Sequence, residues 1–365
     1  MFDIKEDSFT KGLKFYIVGG AVRDKLLGLH QQEDRDWVVV GSSPEEMENR
    51  GFKKVGKNFP VFLHPITKEE YALARTEYKI AIGHQGFEFN VGSYITLKDD
   101  LFRRDLTINA IAYDCINREI IDPFNGLRDI RCGILRHVSS SFREDPLRLI
   151  RLARFSAKFD KFSIAKDTMD FCKIMTKNGE LISLSKERIW KEISKGLMTK
   201  TPINMFNFLK QVEALDLIMP ELILSSRVNN FLKNIPDEID LYTRYAFLCM
   251  DTVDRSLLSR RLAVQSMCKN YADLLPYILK ILENNTSLSE KFLILEKCDA
   301  FRRYDRFIDL LKSCELILKI DVHDILSRLE NVLNINLGDY LIESDQRKRK
   351  DLVRKARLLV FQSGN

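Results

Sequence analysis

The chain has 365 residues, enough for more than one core, and its 45% hydrophobic and 30% charged content is that of a soluble globular protein. No apolar run approaches the ~18 residues of a membrane helix, and the first fifteen residues mix acids and bases without an apolar core, which argues against a secretory leader. The net charge of +6 permits an anionic partner without requiring one, and seven cysteines without close pairing point to neither a zinc site nor a disulfide framework but to a reducing cytoplasm.

In chain order, KFYIVGG and DWVVVG are short β-rich runs, and AVRDKLLGL between them reads as the start of a helix. EEYALART, FEFNVGSYIT and INAIAYD read as further strands. Gly83 and Gly86 in IAIGHQGFE mark a hairpin or flexible loop. DPFNGLRDI, residues 122–130, has the residues of a connecting turn. After about residue 140 the apolar spacing is helical nearly to the end, with a polar stretch over 225–240 separating helical parts. The expected division is a mixed head over 1–130, a helical neck over 131–225, and a helical body and tail over 226–365.

Asp34 and Asp36 flank Arg35 just before the apolar run 37–40. On a strand, residues i and i+2 share a face, so both carboxylates can meet one hard cation or a pair of cations. Two-metal phosphoryl transfer uses such a pair: one metal activates the attacking hydroxyl, and the other neutralises the leaving pyrophosphate. A bare D-x-D is more often two surface acids. Gly19-Gly20 changes its meaning, because the pair sits between a strand and a helix, where backbone without Cβ can approach a triphosphate. Arg23, in the first helical turn, can reach the same phosphates. The pattern is neither a P-loop nor a dinucleotide fingerprint.

EDPLRLIRLARF carries Asp145, Arg148, Arg151 and Arg154 at steps of three. At about 100° per residue each step turns back roughly 60°, so the four trace a polar ribbon on one helix side. Such a ribbon can be a solvated basic face. It can also bind phosphate or a base edge, since arginine forks donate in pairs and an aspartate accepts. The segment 345–357, DQRKRKDLVRKAR, carries seven bases and two acids, and suits either a solvated helix or a surface that holds an RNA backbone.

Taken together, YIVGGAVRD, EDRDWVVVG, GKNFPVFLHP, EYALARTEYK, DDLFRRDLTINAIA, DPFNGLRDI and EDPLRLIRLARF, spread over 16–155, resemble the bacterial class II tRNA nucleotidyltransferases (CCA-adding enzymes). The resemblance implies an α+β protein: a mixed-sheet nucleotidyltransferase head of the DNA polymerase β type, then an all-helical neck, body and tail. It implies template-independent addition of C, C and A to tRNA 3′ ends from CTP and ATP, with Mg2+ as cofactor; the lack of a long apolar run makes a membrane partner unexpected, and the oligomeric state is left open with a monomer slightly favoured. It makes Asp34 and Asp36 the metal ligands, with Glu77 a possible third acid. Gly20 and Arg23 become triphosphate contacts, and Arg104 a ribose or phosphate contact. Arg151 and Arg154 become nucleotide-binding positions, and Asp145 with Arg148 the pair that selects the base. The segment IAIGHQGFE falls where the family has a loop linked to the switch from C to A.

Poly(A) polymerases share the fold family and remain the first competing reading. A non-catalytic tRNA-binding protein is the second, and a small-molecule nucleotidyltransferase, which has no use for the long helical half, is the third. Gammaproteobacterial relatives carry a C-terminal metal-dependent HD phosphohydrolase domain. This chain has five histidines, none between residues 138 and 322, and shows Cys249-Met250-Asp251 where a His-Asp dyad is expected. Methionine is a poor ligand for hard cations, so no phosphohydrolase activity is expected.

Overall fold

The computed structural model describes residues 2, 4–29, 35–56, 61–79, 87–338 and 344–364, and the side chains among these except those of 77–79 and 87–91. The chain forms two compact units, one of Met1–Gly196 with Asn204–Ile218, the other of Leu197–Ile203 with Met219–Asn365. The architecture is α+β, as the sequence implies.

The first unit is built on a mixed seven-stranded sheet ordered β3-β4-β5-β2-β1-β8-β9. Its strands are β1 (Lys14–Val18), β2 (Asp36–Val40), β3 (Lys53–Val55), β4 (Val61–Leu63), β5 (Glu70–Leu73), β8 (Ala112–Asp114) and β9 (Glu119–Ile121). A separate antiparallel pair joins β6 (Arg75–Lys79) to β7 (Phe87–Val91). Their connection, 80–86, holds the predicted loop glycines and lies outside the described residues.

β1 pairs antiparallel with β2, and β2 parallel with β5. Trp37 and Val39 of β2 enter one apolar cluster with Phe15, Ile17 and Tyr71, whereas Val38 enters the cluster on the other face with Val18 and Ala112. Period-two alternation thus makes both faces of the central strands apolar, and only the strand ends remain for polar chemistry. Helix α1 (Gly20–Leu26) follows β1 directly through Gly19, and α2 (Pro44–Asn49) and α3 (Leu97–Phe102) come after β2 and β7 in the chain.

Three expectations are corrected. The run INAIAYD is not one strand, because Thr107–Asn109 forms a 3-10 turn before β8. Side-chain bonds from Thr107 to Asp129 (2.7 Å) and from Asn109 to Asp105 (2.8 Å) outweigh its β propensity. The stretch 122–130 is not only a connector. It starts helix α4 (Gly126–Cys132), because the Asp122 carboxylate accepts from the amides of Gly126 and Leu127 at 2.7 and 2.9 Å. Gly126 packs so close to the turn that a Cβ would come within 2.3 Å of the Thr107 carbonyl oxygen. The polar stretch 225–240 contains the helix Ser226–Lys233, whose N-cap Ser225 accepts from the Val228 amide at 3.1 Å.

The helical part of the first unit begins with α5 (Leu147–Lys158). It continues through α6 (Lys166–Lys177) and α7 (Lys186–Leu197). Leu149, Ile150, Leu152, Ala153 and Ala157 of α5 are fully buried, so the helix is fixed by its apolar sides and its arginines take the remainder.

The second unit is helical. Its longest elements are Ser266–Ile281, Tyr304–Leu318 and Gln346–Ser363. The last of these is anchored by buried Ala356 and Phe361, with the Phe361 ring 5.7 Å from that of Phe292. Arg347, Lys348, Lys350, Arg354 and Lys355 remain exposed. No described helix is long and apolar enough to cross a membrane.

Candidate active site

In the first unit, one end of β1 and β2 meets α5 around a cavity of about 570 Å³. The volume lies within the range of small-ligand sites. Its lining holds eight arginines, at 23, 75, 103, 104, 148, 151, 154 and 188, against three aspartates, at 36, 105 and 145. A cavity so unbalanced in charge favours a polyanion.

The antiparallel register sets Val18 opposite Asp36, so the glycine turn that follows β1 lies beside the first residue of β2. Gly19 has φ +70°, a conformation that favours glycine, and a Cβ there would come within 2.9 Å of Arg104 Nη1. Glycine therefore serves twice: it makes the turn, and it lets a guanidinium lie against it. Asp36 is exposed at the cavity edge. Arg35 turns the opposite way, with Nε 2.6 Å from Glu69 Oε1 and its guanidinium 6.0 Å from the centre of the Trp37 ring.

Arg104 is set by Asp100, a fully buried carboxylate that accepts from Arg103 Nη2 at 2.5 Å and from Arg104 Nη2 at 3.1 Å. Burial alone would raise this carboxyl, but the two guanidiniums outweigh it and hold it down at about 2. Arg104 Nε is buried with no acceptor among the described residues.

Asp145 does not extend the α5 ribbon, which corrects the expected helical placement. Its backbone is extended ahead of Pro146, and its Oδ1 accepts from the Leu147 amide at 3.1 Å. A following proline disfavours helical backbone at the residue before it, so Asp145 stays extended and the helix starts after Pro146. Asp145 Oδ2 pairs with Arg188 of α7 at 2.7 Å. Nor are the arginines a solvated face. Arg148 is buried and donates to the Ser141 carbonyl at 2.7 Å. Arg154 donates to Glu192 at 2.5 Å and stacks 4.2 Å over Phe155. Arg151 grips Asp105 through Nε and Nη2 at 2.9 and 2.8 Å. Burial would raise Asp105, yet Arg151, Asn109 and the Leu106 amide together hold it well below the usual carboxylate range.

The cavity thus brings together Gly20, Arg23, Asp36, Arg104, Asp145, Arg148, Arg151 and Arg154. Asp34 lies outside the described residues, as does the side chain of Glu77, whose backbone pairs with Phe89 in β6–β7. Arg75, Asp105, Asn109 and Arg188 also line the cavity and are missed by sequence reasoning. Arg75 and Asn109 were read as strand positions, and Arg188 stands far downstream with no local signal. Among the described residues no cluster of three acids, histidines or cysteines could close a metal cage. Asp36 is nevertheless an exposed hard oxygen donor beside the glycine turn, a donor type that suits a hard cation such as magnesium.

Residues 15–136 match the family described as the poly A polymerase head domain, and 161–224 the probable RNA and SrmB-binding site of polymerase A. A CCA-adding enzyme of Bordetella pertussis is 44% identical over 356 residues, 97% of either chain. One from Coxiella burnetii is 44% identical over 84% of this chain and 82% of its own. The Bacillus stearothermophilus CCA-adding enzyme, solved in complex with CTP, superposes with a TM-score of 0.72 at 23% identity, over 97% of this chain and 91% of that one. The Thermotoga maritima CCA-adding enzyme with tRNA gives 0.65 at 23%, over 98% and 92%. These two likenesses concern the fold, whereas the identity to the Bordetella relative over nearly the full length fixes the kinship: the chain belongs to the CCA-adding enzyme family of tRNA nucleotidyltransferases.

Proposed function

We propose that this enzyme adds C, C and A to the 3′ end of tRNA from CTP and ATP, in one site and without a nucleic-acid template. The observation that carries the reading is the convergence of eight anticipated residues on one arginine-rich cavity beside the glycine turn. Arg23, Arg104, Arg151 and Arg154 bind the ribose and triphosphate, with Gly20 leaving the backbone open to close approach. Asp145 offers an acceptor and Arg148 a donor, and together they select the incoming base by its hydrogen-bonding edge. Each is anchored elsewhere, Asp145 by Arg188 and Arg148 by the Ser141 carbonyl, so the pair presents a preset pattern.

Asp34 and Asp36 would hold Mg2+, which would supply activation of the tRNA 3′ hydroxyl and charge neutralisation at the departing pyrophosphate. The chain's own arginines hold the triphosphate so that its α-phosphorus faces that hydroxyl, and they stabilise the charge that develops on the phosphate oxygens. The head spans 1–130, the neck 131–225, and the body and tail 226–365. The exposed bases of the Gln346–Ser363 helix contact tRNA phosphates.

Primer extension with labelled CTP and ATP, on tRNAs ending before CCA, after C and after CC, tests the reading. The expected products stop at CCA. Long adenosine tails would establish a poly(A) polymerase instead, and salt-sensitive binding without extension would establish a tRNA-binding protein. We also propose that phosphohydrolase activity is absent. Cys249 is buried, and Asp251 is engaged by Ser225 and lies 3.8 Å from Arg227. Robust nickel- or magnesium-dependent phosphatase turnover would refute this.

A further inference from the structure

Two charged side chains outside the cavity lead directly into it. Lys158 Nζ donates to Asp24 Oδ2 at 3.1 Å, and Asp24 Oδ1 accepts from Arg23 Nε at 2.8 Å. Arg23 Nη1 donates to Asn109 Oδ1 at 2.5 Å, and Asn109 Nδ2 donates to Asp105 Oδ1 at 2.8 Å. Asp105 Oδ2 accepts from Arg151. The six side chains form one continuous belt whose two ends, Arg151 and Lys158, both lie on α5. They are seven residues apart, about two helical turns, so both ends leave the same helix face.

The belt crosses three elements: α1 by Arg23 and Asp24, the region of the 3-10 turn by Asp105 and Asn109, and α5. A donor meets an acceptor at each link: Asp24 and Asp105 accept from both of their neighbours, Arg23 donates to both of its own, and Asn109 accepts on one side and donates on the other. An amide is the only uncharged group in it, and its two ends face groups that fix its orientation: a guanidinium can only donate and a carboxylate only accept. The Arg23 guanidinium also lies 5.3 and 5.2 Å from the ring centres of Phe155 on α5 and Phe159 at its C-terminal end, and those rings stack on each other at 6.0 Å. Arg23 is therefore held on α1 by covalent attachment but aimed by α5 and by its carboxylate. Its Nη2 remains on the glycine-turn side, 3.5 Å from where a Cβ of Gly20 would stand.

We propose that Asp24 and Lys158 are positioning residues for nucleotide binding: through Arg23 they fix the donor that faces the triphosphate, and they tie its position to that of the base-selecting helix. The proposal rests on the assignment of the cavity to CTP and ATP. Neither Asp24 nor Lys158 lines the cavity, so neither acts by touching the nucleotide there. Burial raises the Asp24 carboxyl, but Arg23 and Lys158 outweigh it and keep it below its ordinary value, so the carboxylate is charged when the belt is closed.

The test is calorimetric binding of CTP and of ATP, each with magnesium, to the full-length chain. Lys158→Met should weaken both nucleotides by about tenfold and by equal factors, since the triphosphate is common to both. Lys158→Arg, which keeps the ion pair, should stay within about twofold of the native affinity. In an Arg23→Ala background Lys158→Met should add less than about twofold, because its effect passes through Arg23. Asp24→Asn serves as the second variant should Lys158→Met fail to fold. Native affinity in Lys158→Met, or full additivity with Arg23→Ala, overturns the proposal. Binding is read apart from polymerisation, so a protein that obeys this cycle but adds no CCA refutes the functional assignment and leaves the belt standing.

Discussion

The two units bury arginine for different ends. In the helical unit, Arg244 is buried and spends its donors on backbone carbonyls: Ile239 at 2.8 Å, Leu197 at 2.8 Å, Thr199 at 3.1 Å, Pro236 at 3.2 Å and Asp237 at 3.4 Å. It closes the ends of several segments and is not among the residues that line the arginine-rich cavity. In the sheet-bearing unit, Arg23 and Arg148 are also buried, yet both border open volume, and Arg104 keeps a buried Nε without an acceptor among the described residues. A buried cation that is fully satisfied is a structural staple. One that is anchored at some donors and turned toward a cavity is held ready for an anion.

That contrast can be broken most forcefully at the carboxylate. Asp36→Ala should lower nucleotide incorporation at least ~1,000-fold, since electrostatic stabilisation is lost at the reacting phosphate. The melting temperature should shift little because the side chain is exposed; retained primer extension would end the metal assignment. Arg244→Met should do the reverse. Leaving several buried carbonyls without donors should cost roughly 3 kcal/mol in urea unfolding, with CTP affinity unchanged in the folded fraction. A loss of CTP affinity larger than the loss of stability would erase the distinction drawn between the units.

The smallest effect is expected at Asp100, where the two roles meet. Its carboxyl is held at about 2 by Arg103 and Arg104, against 3.8 ordinarily. The pKa is depressed in the fold, so the contribution is present above pH ~4 and is lost as pH falls through about 2. The shift corresponds to roughly 2 kcal/mol. Asp100→Asn should therefore be less stable at neutral pH by that order and show a flatter decline between about pH 4 and 2 in acid unfolding. An unchanged acid profile would mean that the two guanidiniums are set by something other than this carboxylate.

Much of the fold was legible because the relevant forces are local. Strands β1, β2 and β5 alternate or run apolar, and α5 announces itself by leucine and isoleucine spacing around arginines. The misread segments are those where side-chain hydrogen bonds override propensity. Asn109 and Thr107 pull INA out of a strand and into a turn, and Asp122 converts a connector into a helix start. The site was legible wherever its residues are close in sequence. Gly19, Gly20 and Arg23 fall within one turn, and Asp145 to Arg154 within one helix and its entry.

The sequence by itself determined the class of chemistry. A glycine turn, acids set two apart before an apolar strand, and arginines at helical steps are patterns that a few neighbouring residues can carry. Tertiary structure alone decided which charges face one another. Arg151 meets Asp105, Arg154 meets Glu192, Asp145 meets Arg188, and Lys158 reaches Asp24 across 134 positions. Each pairing depends on where helices land after their apolar faces have packed. A charge pattern in one dimension holds no record of that, because the energy that places the helices comes from buried carbon and not from the charges they carry.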